Sequence, residues 1–173
     1  MFTKNWYKVS ASNYSEQEVD VTNVIGSSYK SLTDTWTVYG NTQDNVLCPS
    51  LYHVRTAYNS YGGVVLGTGT TQPTIDDYCL SGNLITNISY IAAVSNAGDA
   101  DGVTTTAVYT VTNTSSEDIT IGEIGIIASY RSSQSSQTYK LLLERTVLDA
   151  PITIPAGGVG QVTYTIRFNY PSA

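Results

Sequence analysis

Between Gln161 and Phe168, apolar Val162, Tyr164, Ile166 and Phe168 alternate without exception with Gln161, Thr163, Thr165 and Arg167. Successive side chains of a strand point to opposite faces, so this run specifies a strand with one buried and one wetted face. Such a strand must lie in a sheet whose apolar side is covered. Its neighbours are legible upstream. Residues 104–113 repeat the pattern through Ala107, Tyr109 and Val111, and residues 141–148 supply another apolar strand. Pro151 and Pro155 bracket Ile152-Thr153-Ile154, and Ala156-Gly157-Gly158 provides the turn into the last strand. Ile119 and Ile121 have one parity and Ile124 and Ile126 the other, which predicts a bulge near Gly122. The polar run 130–137 reads as an exposed hairpin tip. Five strands of this kind give an all-β chain, an antiparallel β-sandwich.

The first part of the chain reads differently. Residues 1–40 begin with Phe2, Trp6 and Tyr7 and continue through strand candidates at 19–25 and 35–39. We read this stretch as an extended N-terminal segment and a candidate inter-subunit arm, with Phe2, Trp6 and Tyr7 as its contacts. The competing reading is that these aromatics close the chain's own core. Residues 41–173 then form the sandwich domain. Within it, 41–102 is loop-rich, punctuated by Pro49, Gly62-Gly63, Gly67, Gly69, Pro73, Gly82 and Gly98, with strand candidates at 51–58, 64–66 and 84–94. Asp76-Asp77-Tyr78 suggests a short helical turn; helix is not expected elsewhere.

Composition narrows the function classes. Charged residues are 13% of the chain and hydrophobic ones 41%, so 173 residues can bury a core without metals or disulfides. A net charge of -6, with eight unclustered Lys and Arg, argues against nucleic acid and anionic membrane as partners. No apolar stretch approaches the ~20 residues of a membrane helix, and the first residues lack the apolar run of a secretory signal, which implies synthesis in the cytoplasm. Cys48 and Cys79 stand in no metal or redox motif, and we read them as buried thiols, one bridge being open to them after release into an oxidising medium.

Few residues of the chain point to chemistry. His53 is the one histidine, it sits between Tyr52 and Val54 as a strand residue would, and no serine is paired with it by any motif. One His and two distant Cys assemble no zinc site, and no cofactor is implied. Asp99-Ala100-Asp101-Gly102 resembles the opening of a calcium loop, although Asp before Gly is also what a plain turn requires. Asp76, Asp77, Glu123 and Glu144 are the carboxylates from which a glycosidase pair would have to be drawn. Gly67-Thr68-Gly69-Thr70-Thr71-Gln72 lacks the Lys and the following helix of a phosphate loop. The triplets at Asn13, Asn87 and Asn113 fit the glycosylation pattern, and without export they stay bare. Fourteen Tyr with Trp6 and Trp36 can fill strands, anchor interfaces or stack on sugars.

Two segments carry a resemblance. Residues 64–78, Val-Val-Leu-Gly-Thr-Gly-Thr-Thr-Gln-Pro-Thr-Ile-Asp-Asp-Tyr, resemble a phrase of structural proteins of tailed bacteriophages: a strand, Gly-Thr-Gly-Thr-Thr, Pro and an acidic Asp-Tyr element. Residues 110–125, leading into 142–157, are similar to the immunoglobulin-like or jelly-roll-like ends of such proteins. The resemblance covers 64–168 and carries over no catalytic residue. It implies a non-enzymatic virion component, a capsid decoration, fibre or tail part made in the host cytoplasm. Its partners would be copies of itself and other virion proteins. The alternative expectation is an adhesin module that binds host-surface glycan through Tyr and Trp, and a polysaccharide-degrading enzyme is a third.

Overall fold

The computed structural model describes residues 1–15, 19–31, 37–38, 62–131 and 138–170. The strand expected at 51–58 lies outside them, as do 132–137 of the tip expected at 130–137, Trp36, Cys48 and His53; Tyr130 and Arg131 of that tip belong to a strand. The described chain is almost entirely β, in antiparallel sheets, as the alternating patterns required. Its elements are α1 (Lys4–Ser15), β1 (Val19–Thr22), β2 (Ser28–Ser31), β3 (Thr37–Val38), β4 (Gly62–Gly67), β5 (Ile88–Gly98), β6 (Gly102–Asn113), β7 (Ile119–Arg131), β8 (Thr138–Ile154) and β9 (Val159–Asn169).

They divide into two units, each made of two chain segments: 1–85 with 120–152, and 86–119 with 153–173. In the first, β7 is the organising strand: β4 pairs with it from Gly67↔Glu123 to Gly62↔Ala128, β3 pairs at Thr37↔Arg131 and Val38↔Tyr130, and β8 also pairs with it. The parity conflict that suggested a bulge has another resolution. Every residue from Ile121 to Ala128 is buried, so β7 is covered on both faces and needs no apolar side to switch. Leu141, Leu142 and Leu143 are all buried for the same reason. Leu141 and Leu143 pack with Ala128, Trp6, Val9 and Val21, and Leu142 packs with Val65 and Ile127.

The N-terminal segment is not extended throughout. Residues 4–15 form α1, which sequence reasoning missed because Ser, Asn and Tyr dominate it. Tertiary contacts hold it. Trp6 and Val9, three residues apart on one helical face, enter the core, and Phe2 stacks on Trp6 at 4.4 Å between centroids. The Asn5 side chain acts as a surrogate peptide, donating to Thr22 O at 2.6 Å and accepting from Thr22 N at 2.9 Å. Thr3, fully buried, donates its amide to Leu143 O at 3.0 Å and its hydroxyl to Leu142 O at 2.7 Å.

The second unit is a three-stranded sheet of order β5-β6-β9. Its ladders are uninterrupted, from Ile88↔Asn113 to Gly98↔Val103 and from Gly102↔Asn169 to Thr112↔Val159. One face carries Ala107, Tyr109, Val111, Val162, Tyr164 and Ile166, all buried, with Tyr90 edge-on to Tyr109 at 5.8 Å. Burial pushes the Tyr109 phenol well above its ordinary pKa. The opposite face is rich in Thr. The predicted turn before β9 is present: Gly158 N donates to Pro155 O at 2.8 Å, with Gly157 at φ 68°, the sign a type II turn requires there. Strand β8 runs on to Ile154, so Pro151 lies within a strand and not at its start. Asn113 fastens this corner. Its buried amide donates to Glu117 O at 2.7 Å, Pro155 O at 3.0 Å and Ile154 O at 3.1 Å, and its carbonyl accepts from Ser115 N and Oγ. A triplet asparagine so enclosed offers no acceptor nitrogen for a glycan.

Candidate functional site

A chain with few charges places two of them, Glu123 on β7 and Arg145 on β8, inside apolar strands, with side chains 0% and 1% exposed. Burying a lone charge is prohibitively unfavourable, so each must find partners. Glu123 finds five donors: Oε1 accepts from Gly69 N at 3.1 Å and Gly82 N at 2.7 Å, while Oε2 accepts from Ser81 N at 3.1 Å, Ser81 Oγ at 3.3 Å and Arg145 Nε at 2.6 Å. The guanidinium of Arg145 continues outward, donating to Asp77 Oδ2 at 2.7 Å, Thr71 O at 2.6 Å and Ser81 Oγ at 2.5 Å. Asp77 in turn caps its own turn, accepting from Thr74 N at 3.0 Å and Thr74 Oγ1 at 2.8 Å.

These bonds clamp one loop, residues 68–84, onto the sheet. Its neck is closed by the Gly67↔Leu84 bridge, by Ile85 N to Leu66 O at 2.9 Å and by Thr68 N to Asn83 O at 3.1 Å. Inside, three glycines allow backbone to cross backbone. A Cβ on Gly122 would come within 2.5 Å of Gly69 O; one on Gly69 would strike Ser81 Oγ and Glu123 Oε1. One on Gly82 would lie 2.7 Å from Gly69 Cα. The glycines of the Gly-Thr-Gly phrase therefore serve close approach and leave no room for a phosphate. Where a helical turn was expected there is a β-turn, Asp77 N donating to Thr74 O at 3.2 Å.

The electrostatics are those of a fastening. Burial acts to raise the carboxyl pKa of Glu123, but the hydrogen bonds of Arg145, Gly82 and Ser81 outweigh it and hold it below its usual value. Asp77 is held low in the same way: burial opposes ionisation, and Thr74 and Arg145 overcome it. Arg145 loses by burial and gains more from Glu123 and Asp77, so its pKa rises. All three groups are charged at neutral pH, and their polar atoms are committed to one another.

The other candidate carboxylates are dispersed. Asp76 is exposed and pairs with Lys4. Glu144 is buried, bonded through Oε1 to the Met1 amino group at 2.5 Å and to Thr146 Oγ1 at 2.6 Å. Asp99 closes the β5–β6 hairpin: Oδ1 accepts from Asp101 N at 2.9 Å and Gly102 N at 3.0 Å, and both oxygens accept from Arg167. The Arg167 hydrogen bond is the main reason that its pKa falls to about 2. Asp99 and Asp101 thus sit in a plain turn with a guanidinium where a cation would be. Among the described residues no group of three or more His, Cys, Asp or Glu could hold a metal ion, and no helix is long and apolar enough to cross a membrane. Cys79 is a half-buried free thiol whose pKa burial raises.

Of the three aromatic residues proposed as inter-subunit contacts, Phe2 and Trp6 pack in the core beside α1, and Tyr7 is 55% exposed. Sequence reasoning considered Glu123 only as an acid and did not consider Arg145. The available signal was a pair of opposite charges, each flanked by buried-strand residues, in Ile121-Gly122-Glu123-Ile124 and Leu141-Leu142-Leu143-Glu144-Arg145. Compared with known protein families, curated proteins and solved structures, the chain matches none.

Proposed function

We propose that the chain is a structural component of a tailed-bacteriophage particle, a capsid decoration, fibre or tail part that self-assembles or docks on other virion proteins. One observation carries this reading. The separate phrases on which the resemblance rests are fastened to one another: Glu123 and Arg145, from the second segment, hold the backbone of Gly69 and Thr71 and the carboxylate of Asp77, from the first. A loop held in this way gives the chain a fixed surface, which suits a protein that works through its shape. The buried charges support the same view, since they hold backbone and are enclosed away from substrate. Such a chain functions by burying surface against its neighbours.

Light scattering on the size-separated full chain, across a concentration series and with co-expressed virion proteins, tests the reading. Discrete oligomers or a stable complex are expected. A strict monomer that binds no virion protein would remove its support, and a glycan-array signal from that monomer would favour the sugar-binding alternative.

A further inference from the structure

We infer that loop 68–84 is an acid-released element: uptake of a proton by Glu123 frees it from the sheet while the strands beneath stay folded. This device is separate from the virion reading and stands or falls without it.

A loop commonly stays down by burying apolar side chains, and this one buries few. Gly69 is its one buried residue. Its contribution to the core is the half-buried Leu80, packed against Val65, Ile127 and Leu142. Where the loop crosses β7 and itself, at Gly122, Gly69 and Gly82, backbone lies on backbone. The grip is therefore polar, and it converges. Among the described residues seven hydrogen bonds join the loop to the side chains of the sheet. Glu123 accepts four of them, from Gly69 N, Gly82 N, Ser81 N and Ser81 Oγ, and Arg145 donates three, to Thr71 O, Ser81 Oγ and Asp77. Both ends of the loop thus meet at one carboxylate. The apex is tied separately to α1, where Lys4 N donates to Ile75 O at 2.7 Å and the exposed Lys4 ammonium pairs with Asp76.

Of the two sheet residues only Glu123 can change its charge, because a guanidinium keeps its proton. A proton on Glu123 turns one acceptor oxygen into a donor, inside a ring of N–H and O–H donors. It also takes from Arg145, 1% exposed, its most deeply buried counter-charge. A buried guanidinium short of partners gains by opening to water. The groups around Glu123 do not replace the lost charge. Asp77 faces Arg145 from the loop, already engaged with it and with Thr74. Burial and the two carboxylates keep the Cys79 thiol protonated. Lys4 of α1 is engaged with Asp76, Glu144 of β8 with the Met1 amino group, and β4 carries no titratable residue. The bonds from Arg145, Gly82 and Ser81 favour the ionised carboxyl in the closed loop. The closed form therefore binds fewer protons than the open one, so the latch holds above the ordinary carboxyl value of 4.5 and weakens as pH falls below it.

Amide exchange of the full chain, read residue by residue by NMR from neutral pH downward, tests this. Below 4.5 the protection of the Gly69, Ser81 and Gly82 amides should fall by up to about tenfold per pH unit for each proton taken up, while the amides of Ile124 to Ile127 in β7 keep theirs. Glu123→Gln, which imitates the protonated carboxyl, should show the open loop at neutral pH with the circular dichroism of the parent. Asp77→Asn should retain the acid response, because Glu123 remains. Loop amides that stay protected until those of β7 also exchange overturn the inference. So does a folded Glu123→Gln protein whose loop is as protected at neutral pH as the parent's. If Glu123→Gln fails to fold, the pH series on the parent decides alone.

Discussion

Replacing Arg145 with Met keeps much of the side chain's length and removes its charge, leaving Glu123 buried beside it. Four hydrogen bonds are lost, to Glu123, Asp77, Thr71 and Ser81, the longest of them 2.7 Å. The amides of Gly69, Ser81 and Gly82 still reach the Glu123 carboxylate, so the ion is not stripped of partners. Removing one member of a buried pair costs about 3–5 kcal/mol. Against the ~5–15 kcal/mol that hold a typical domain together, that is about a fifth or more of the whole. Urea unfolding at pH 7, followed by circular dichroism, reads the loss. The double variant Glu123→Gln/Arg145→Met removes the orphaned charge and should recover about 1–3 kcal/mol of what the single variant loses. Proteolysis within 68–84 should accelerate in the single variant, because the guanidinium holds that loop from inside. An Arg145→Met protein within about 1 kcal/mol of the parent, or a double variant whose loss is the sum of the two single losses, would refute the clamp.

Four further outcomes follow from the geometry. Glu123 and Asp77 have folded pKa values below their ordinary 4.5 and 3.8, so the folded state binds fewer protons; their stabilisation is complete above those values and is lost as pH falls through the lowered ones. The urea midpoint should therefore fall as the pH is lowered below those ordinary values, and fall less in Glu123→Gln; a flat profile contradicts the assignment. Gly69→Ala, which drives a methyl into Ser81 Oγ and the clamp carboxylate, should cost about 1–3 kcal/mol by thermal melting, whereas Gly157→Ala, with nothing near, should cost only its backbone strain. Asn113→Ala removes a donor from the carbonyls of Glu117, Ile154 and Pro155 and the acceptor of Ser115 N, and should lower stability by about 1–3 kcal/mol, with faster amide exchange at Ser115. Carbon-detected titration should find the Asp99 carboxyl near 2, and Arg167→Gln should return it toward 3.8.

Where a residue's environment is set by its immediate neighbours, the sequence announced it. The alternation around Val162, Tyr164 and Ile166 and that around Ala107, Tyr109 and Val111 gave the two adjoining strands β9 and β6, and Pro155 to Gly158 gave the turn that precedes β9. What depended on distant partners was hidden. Helix α1 owes its existence to Trp6 and Val9 meeting Leu141 and Leu143, and no local propensity reports that. Strand β7 read as a parity conflict because periodicity assumes one wet face, and from Ile121 to Ala128 β7 has none. Glu123, Arg145 and Asp77 stand far apart along the chain and share no motif, so only folding reveals them as one network.

The division of the chain has a consequence for its birth on the ribosome. Strand β6 finds β5 as soon as their hairpin emerges, but its second edge must wait for β9, and all of 120–152, which belongs to the other unit, is synthesised in between. Through that interval the buried side of β6, with Tyr109 and Val111, lacks the strand that completes its sheet. Closing so distant a pairing is slow and leaves apolar surface open to misassociation. The same interleaving means that no single cut releases either unit as one peptide, so a nicked protein should hold together until it is unfolded.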